Sequence, residues 1–123
     1  MKIGVMVGFL SLLLLPAAQA DEVELSTGVI CNTKKQIERF VTLNDFDPQS
    51  AVQAINTEEH DPTACAVASL AFVRGSKAAS VRKDDATFQI VPILVIGVIT
   101  PEGVRGIAPV VYFSLFKVEE RTA

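Results

Sequence analysis

The stretch Phe88-Gln89-Ile90-Val91-Pro92-Ile93-Leu94-Val95-Ile96-Gly97-Val98-Ile99-Thr100 decides the fold. It is almost wholly apolar and rich in β-branched side chains, which suit a pleated, buried surface. Thr100-Pro101-Glu102-Gly103 closes it as a turn, and a second apolar run, Val110 to Val118, follows. The two predict the central hairpin of a small sheet. In the second run Val111, Phe113 and Leu115 alternate with Val110, Tyr112, Phe116 and Val118. Both faces are apolar, so each needs cover from the chain itself or from a partner. Pro92 cannot donate to a ladder and predicts a bulge or an exposed edge, and Gly97 predicts a second bend.

Upstream, Val67 to Val73 reads as a strand and Gly75-Ser76 as a two-residue hairpin turn. Lys77 to Arg82 returns with Ala79 and Val81 alternating against Ser80 and Arg82, and Asp84-Asp85 turns the chain into the opening stretch. The N-terminal half has a different texture. Gly28 to Cys31 reads as a brief strand, preceded by an edge strand or tail over Asp21 to Leu25. Thr33 and Gln36 form a capping box, and Ile37, Phe40 and Val41 give the apolar stripe of a helix of about ten residues ending near Asn44. Asp47-Pro48 opens a second helix with the stripe Ala51, Val52, Ile55, ended by Asn56. Thr57 to Thr63 is polar and contains Asp-Pro, a loop signal. The expected fold is α+β: an N-terminal helical hairpin packed on a four- to five-stranded antiparallel meander. A small, strongly bent barrel with the helices at one end is the alternative.

The chain has 123 residues, and its first 20 carry the marks of a signal peptide. Lys2 precedes the apolar run Val5 to Leu15, and Ala18-Gln19-Ala20 supplies the small-x-small cleavage pattern. Ile3 to Leu15 falls short of the ~20 residues that span hydrocarbon, so no membrane anchor is expected after cleavage. Residues 21–123 then form one domain of periplasmic or secreted type. Without Lys2 that domain has 10 basic and 14 acidic residues, a net charge of −4. The balance argues against nucleic acid, which needs a basic face. The two cysteines, Cys31 and Cys65, both lie in the exported part, and an even count in an oxidising compartment predicts one disulfide.

Catalytic constellations are not supplied. His60, the single histidine, stands among Glu58, Glu59 and Asp61, but no second histidine or free cysteine completes a transition-metal shell. No serine lies in a nucleophile elbow, and the paired aspartates Asp45/Asp47 and Asp84/Asp85 occupy turn positions that Asp favours locally. Gly75, Gly97, Gly103 and Gly106 are isolated, so no phosphate loop is present. Neither cofactor nor metal is expected. Arg74, Lys77, Arg82 and Lys83 form a basic cluster, read as adjacent hairpin ends, that can receive an anion or a partner.

Asp61-Pro62-Thr63-Ala64-Cys65, Ala71-Phe72-Val73-Arg74-Gly75 and the Leu94 to Thr100 run resemble a type of small exported protein of Gram-negative bacteria. The resemblance implies a periplasmic setting and no activity. The function expected is a non-enzymatic binding module, engaging another envelope protein or a small ligand through a sheet face or the basic cluster. The alternative is a proteinaceous inhibitor of an envelope-active hydrolase, inserting the Thr57–Thr63 loop.

Overall fold

A computed structural model describes residues 22–43 and 47–118. The expected signal peptide over 1–20, residues 119–123 and residues 44–46 lie outside the described residues. The elements are β1 (Val23–Cys31), α1 (Lys34–Leu43), α2 (Pro48–Glu59), β2 (Cys65–Arg74), β3 (Ala79–Lys83), β4 (Ala86–Thr100) and β5 (Gly103–Lys117). Among the described residues the class is α+β: two helices with a five-stranded, wholly antiparallel sheet and one disulfide, Cys31–Cys65. These two cysteines sit directly opposite each other in the β1–β2 register, with Cα atoms 4.1 Å apart.

The capping box forms as read. The Thr33 N–H donates to Gln36 Oε1 at 3.0 Å, and the Gln36 N–H donates to Thr33 Oγ1 at 3.1 Å. Asp47 caps α2 by accepting from the Gln49 N–H, with Pro48 in the first turn. Several boundaries move outward, and β5 begins at Gly103 rather than Val110. β1 begins at Val23, because its alternation continues unbroken against β2 down to Val73. α2 runs past Asn56 to Glu59 and stops where His60 enters the left-handed region at φ 54°.

The meander is corrected. Gly75-Ser76 makes no hairpin, and β2 does not pair with β3. Both lie end to end along one edge of β4: β2 beside Ile93–Val98 and β3 beside Ala86–Ile90. The intervening Gly75–Ala78 bulges past Pro92, its ends held by Gly75 N–H to Pro92 O and Ala78 N–H to Ile90 O, both 2.8 Å. The physical reason is Pro92. In a strand the N–H and C=O of one residue point to the same side. The donor that Pro92 lacks would therefore have faced this bulge, and the neighbouring strand swells where no ladder bond is available. Asp84 and Asp85, both at positive φ, do form the tight turn between β3 and β4. Relative to β2, Ile96 is an extra residue beside Gly97, which gives the second bend.

The other edge of β4 pairs with β5, and β5 reaches β1 at Ile30–Ser114 and Cys31–Phe113. Strands β1, β2, β4 and β5 thus close into a ring, nearer to the bent barrel than to an open sheet. Its interior is built by Ile30, Leu70, Phe72, Val91, Ile93 and Val95, with Tyr112 and Phe116 packed against them. Alternate residues face outward, where Val29, Cys31, Cys65 and Ile90 meet Ile37 and Phe40 of α1 and Val52 and Ile55 of α2. At about 25 cal/mol per Å2 of apolar surface removed from water, these two clusters supply the main stabilising force.

Candidate functional site

The helices cover one end of the ring, α1 reaching β1, β3, β4 and β5 and α2 lying on β2 near Cys65. Across the sheet from there, the register sets Val23 opposite Val73, Val73 opposite Leu94, and Leu94 opposite Val111. Directly paired residues share a face, so these four side chains form one row across four strands. The row continues the outward face of Val29 and Cys31, yet no helix lies over it. Val23 is 53% exposed, Leu94 39% and Val111 57%. One step along the sheet, Leu25, 60% exposed, lies opposite Ala71, itself opposite Gly97. Val104 from β5 leans over Gly97, and a Cβ there would meet Val104 Cγ1 at 2.8 Å. Apolar residues scattered singly on a surface are ordinary; a row aligned across four strands is not.

The same strand that starts the row has a free edge. Among the described residues, β1 pairs on the β5 side only at Ile30 and Cys31. The Asn32 N–H donates to Ala64 O, which puts even-numbered β1 residues in the hydrogen-bonded pairs with β2. The N–H and C=O groups of Val23, Leu25 and Thr27 therefore point away from β2, along the open edge. Val29 O points the same way and is met by Ser114 Oγ at 2.7 Å, where the two strands begin to part. A cleft of about 80 Å3 opens below this edge, lined by Thr27, Gly28, Leu70, Phe72, Ile93 and Phe116. Ligand pockets usually enclose roughly 300–1,000 Å3, so this cleft is well below that size.

The basic cluster is dispersed into structural roles. Arg74 donates to both carboxylate oxygens of Glu24 at 2.8 Å and lies 3.7 Å from the centroid of the Phe116 ring. Lys83 Nζ donates to Val41 O at 2.8 Å, at the C-terminal end of α1, where carbonyls lack helical partners. Arg82 donates to Thr87 Oγ1 at 2.7 Å. Lys77 stands exposed on the Gly75–Ala78 bulge. The four residues do not meet at adjacent hairpin tips, because the first of the two hairpins does not exist.

The loop beside the disulfide is shorter than Thr57–Thr63 and firmly held. Asn56 donates from Nδ2 to Pro62 O at 3.0 Å and to Cys65 O at 3.1 Å, while its Oδ1 accepts from the Cys65 N–H at 2.8 Å. Asp61 accepts from the Thr63 N–H and hydroxyl, and these bonds hold its carboxyl below the usual carboxylate range. Residues 60–63 alone project. His60 caps α2 at the rim of a broad surface concavity shared with Gln53, Thr57 and Pro62. Among the described residues no group of three or more His, Cys, Asp or Glu side chains is placed to hold a metal ion, and no helix is long and apolar enough to cross a membrane.

A scan with protein-family models, a search of curated proteins and a search of solved structures each found no match. What the sequence reading missed is the bare row. Its signal was present in Val23 and Leu25, whose alternation with Glu22 and Glu24 is that of a strand with one apolar face.

Proposed function

We propose that this chain is an exported, non-enzymatic interaction module that docks a partner protein on the bare outer face of its sheet. The observation that carries the reading is the row Val23, Val73, Leu94, Val111, three of whose members are more than a third exposed. Covering such side chains is worth about 1.5–3 kcal/mol each when complete, enough for a few anchors to hold a complex. The signal-like first 20 residues and the disulfide support a periplasmic or secreted setting, in line with the resemblance to small exported proteins. Helices α1 and α2, taken as a hairpin, then serve as the clamp over one end of the ring and leave the opposite side to the partner.

The test uses a photo-crosslinking residue at Val111, with Gln53 on α2 as the control position, in cells exporting the full chain. A defined envelope adduct from position 111 alone, lost with Leu94→Asp, is the expected result. Equal labelling from both positions, or an adduct indifferent to Leu94→Asp, overturns the reading.

A second reading, inhibition of an envelope-active hydrolase, is favoured by the loop at residues 60–63, pinned by Asn56 and Asp61 next to Cys65. It requires inhibition of a lysozyme or protease from a standard panel at micromolar concentration. Absence of any inhibition removes it.

A further inference from the structure

We infer that β1 pairs with β1 of a second copy about a two-fold axis at Leu25. The pairing uses backbone groups along the β1 edge and is separate from any other partner on the outer face. An unpaired strand edge is a template for another strand, and proteins blunt such edges with proline, charge or a bulge. The β1 edge has neither proline nor bulge: Val23-Glu24-Leu25-Ser26-Thr27 pairs with β2 without a register shift. Its single charge, Glu24, is engaged by Arg74.

Self-pairing imposes a strict condition. In an antiparallel ladder about a two-fold axis, the residue on the axis faces its own copy, and hydrogen-bonded pairs recur every second residue. The outward groups belong to Val23, Leu25 and Thr27, and Val29 O is already taken by Ser114. Centring on Leu25 sets Leu25 opposite Leu25 of the second copy and Val23 opposite Thr27. Every outward amide and carbonyl of the three residues then finds a partner, and none is left over. Centring on Ser26 instead would call on Val29.

The side chains agree with that register. Leu25, the most exposed large hydrophobic residue at 60%, meets its twin, with Cβ atoms about 5 Å apart as in any directly opposed pair. Glu24 faces Ser26, so no like charges oppose each other. The two outer rows, each beginning at Val23 and Leu25, become one apolar surface crossing both molecules.

The experiment is sedimentation of the processed chain recovered from the periplasm, across a concentration series, for wild type, Leu25→Pro and Leu25→Lys. Proline at 25 removes an amide that β2 does not use, and lysine opposes two charges on the axis. Wild type is expected at twice the mass of one chain, and both variants at the single mass while still unfolding in one cooperative transition. A second variant, Leu25→Cys, reads the register directly: hydrogen-bonded antiparallel pairs have Cα atoms about 5.5 Å apart, within disulfide reach. It is expected to give a reducible covalent dimer, whereas Gln49→Cys on the exposed first turn of α2 is not. A wild type of single mass at every concentration, or a dimer that survives both Leu25→Pro and Leu25→Lys, overturns the inference.

Discussion

Gly75 and Pro92 hold each other across the break between β2 and β3. The Gly75 N–H donates to Pro92 O at 2.8 Å, and a Cβ on residue 75 would stand 2.9 Å from that same oxygen. The contact is with backbone on both sides, so neither partner can swing away. Gly75→Ala is therefore expected to destabilise by about 1–3 kcal/mol through overpacking. Gly28→Ala is the matched control, with nothing within 4 Å of its added methyl. Denaturant titration of the two variants should separate them, with the loss confined to Gly75→Ala.

The disulfide closes a loop of 33 intervening residues, and chain-entropy reasoning assigns such a loop about 3–4 kcal/mol. Cys31 and Cys65 are buried at the meeting of β1, β2 and both helices. Reduction is expected to lower the unfolding free energy by that amount and the melting temperature with it. Melting curves with and without a strong reductant measure it.

Asn56→Ala should behave like a core substitution although residue 56 is only partly buried. It leaves the Cys65 N–H and C=O and the Pro62 C=O without their side-chain partner, and unsatisfied groups of this kind cost about 1–3 kcal/mol. Asn56→Asp keeps the acceptor for the Cys65 N–H and loses both donors, so it should fall between. Amide exchange at Cys65, which reads the lost acceptor alone, should accelerate in the alanine variant and stay slow in the aspartate variant.

Three carboxyls lie below their ordinary values of 3.8 for aspartate and 4.5 for glutamate: Asp47 through the Ser50 hydroxyl, Glu58 through Arg39, and Asp61 through the Thr63 amide and hydroxyl. A lowered folded-state pKa favours the folded form above the unfolded value, and that benefit is lost as pH falls through the folded value. Melting temperature should accordingly be flat from neutral pH down to about 4.5 and then decline. Asp61→Asn should remove part of the decline and move the upper plateau down.

Much of the architecture was legible in local chemistry. Thr33 with Gln36, Asp47 with Pro48, the two aspartates at positive φ, and the single cysteine pair each act over a few residues or leave one alternative. Strand pairing was not legible where it depended on a distant residue. Gly75-Ser76 carries a turn signature, but the glycine is required by Pro92 on another strand, and nothing near residue 75 says so. The site was half legible: the two-faced apolarity of β5 pointed to a surface in need of cover. Which face stayed bare depended on where the helices docked. The local partners of the basic residues, Glu24 and Phe116 for Arg74 and the α1 carbonyls for Lys83, were not legible because they lie far off in sequence.

The seam between β1 and β5 also sets an order of events. Ser114 and the Val29 carbonyl it binds are 85 residues apart, and contacts of such separation form late because loop-closure entropy must be met first. β5 supplies Phe113 and Leu115 to the helix side and Tyr112 and Phe116 to the interior. Until it arrives, both cores are incomplete together. A chain ending before residue 110 lacks the strand that shuts the ring, and it is expected to be cut by a protease faster than the full chain. The last strand is thus the one piece on which closure of the ring and completion of both cores depend at once.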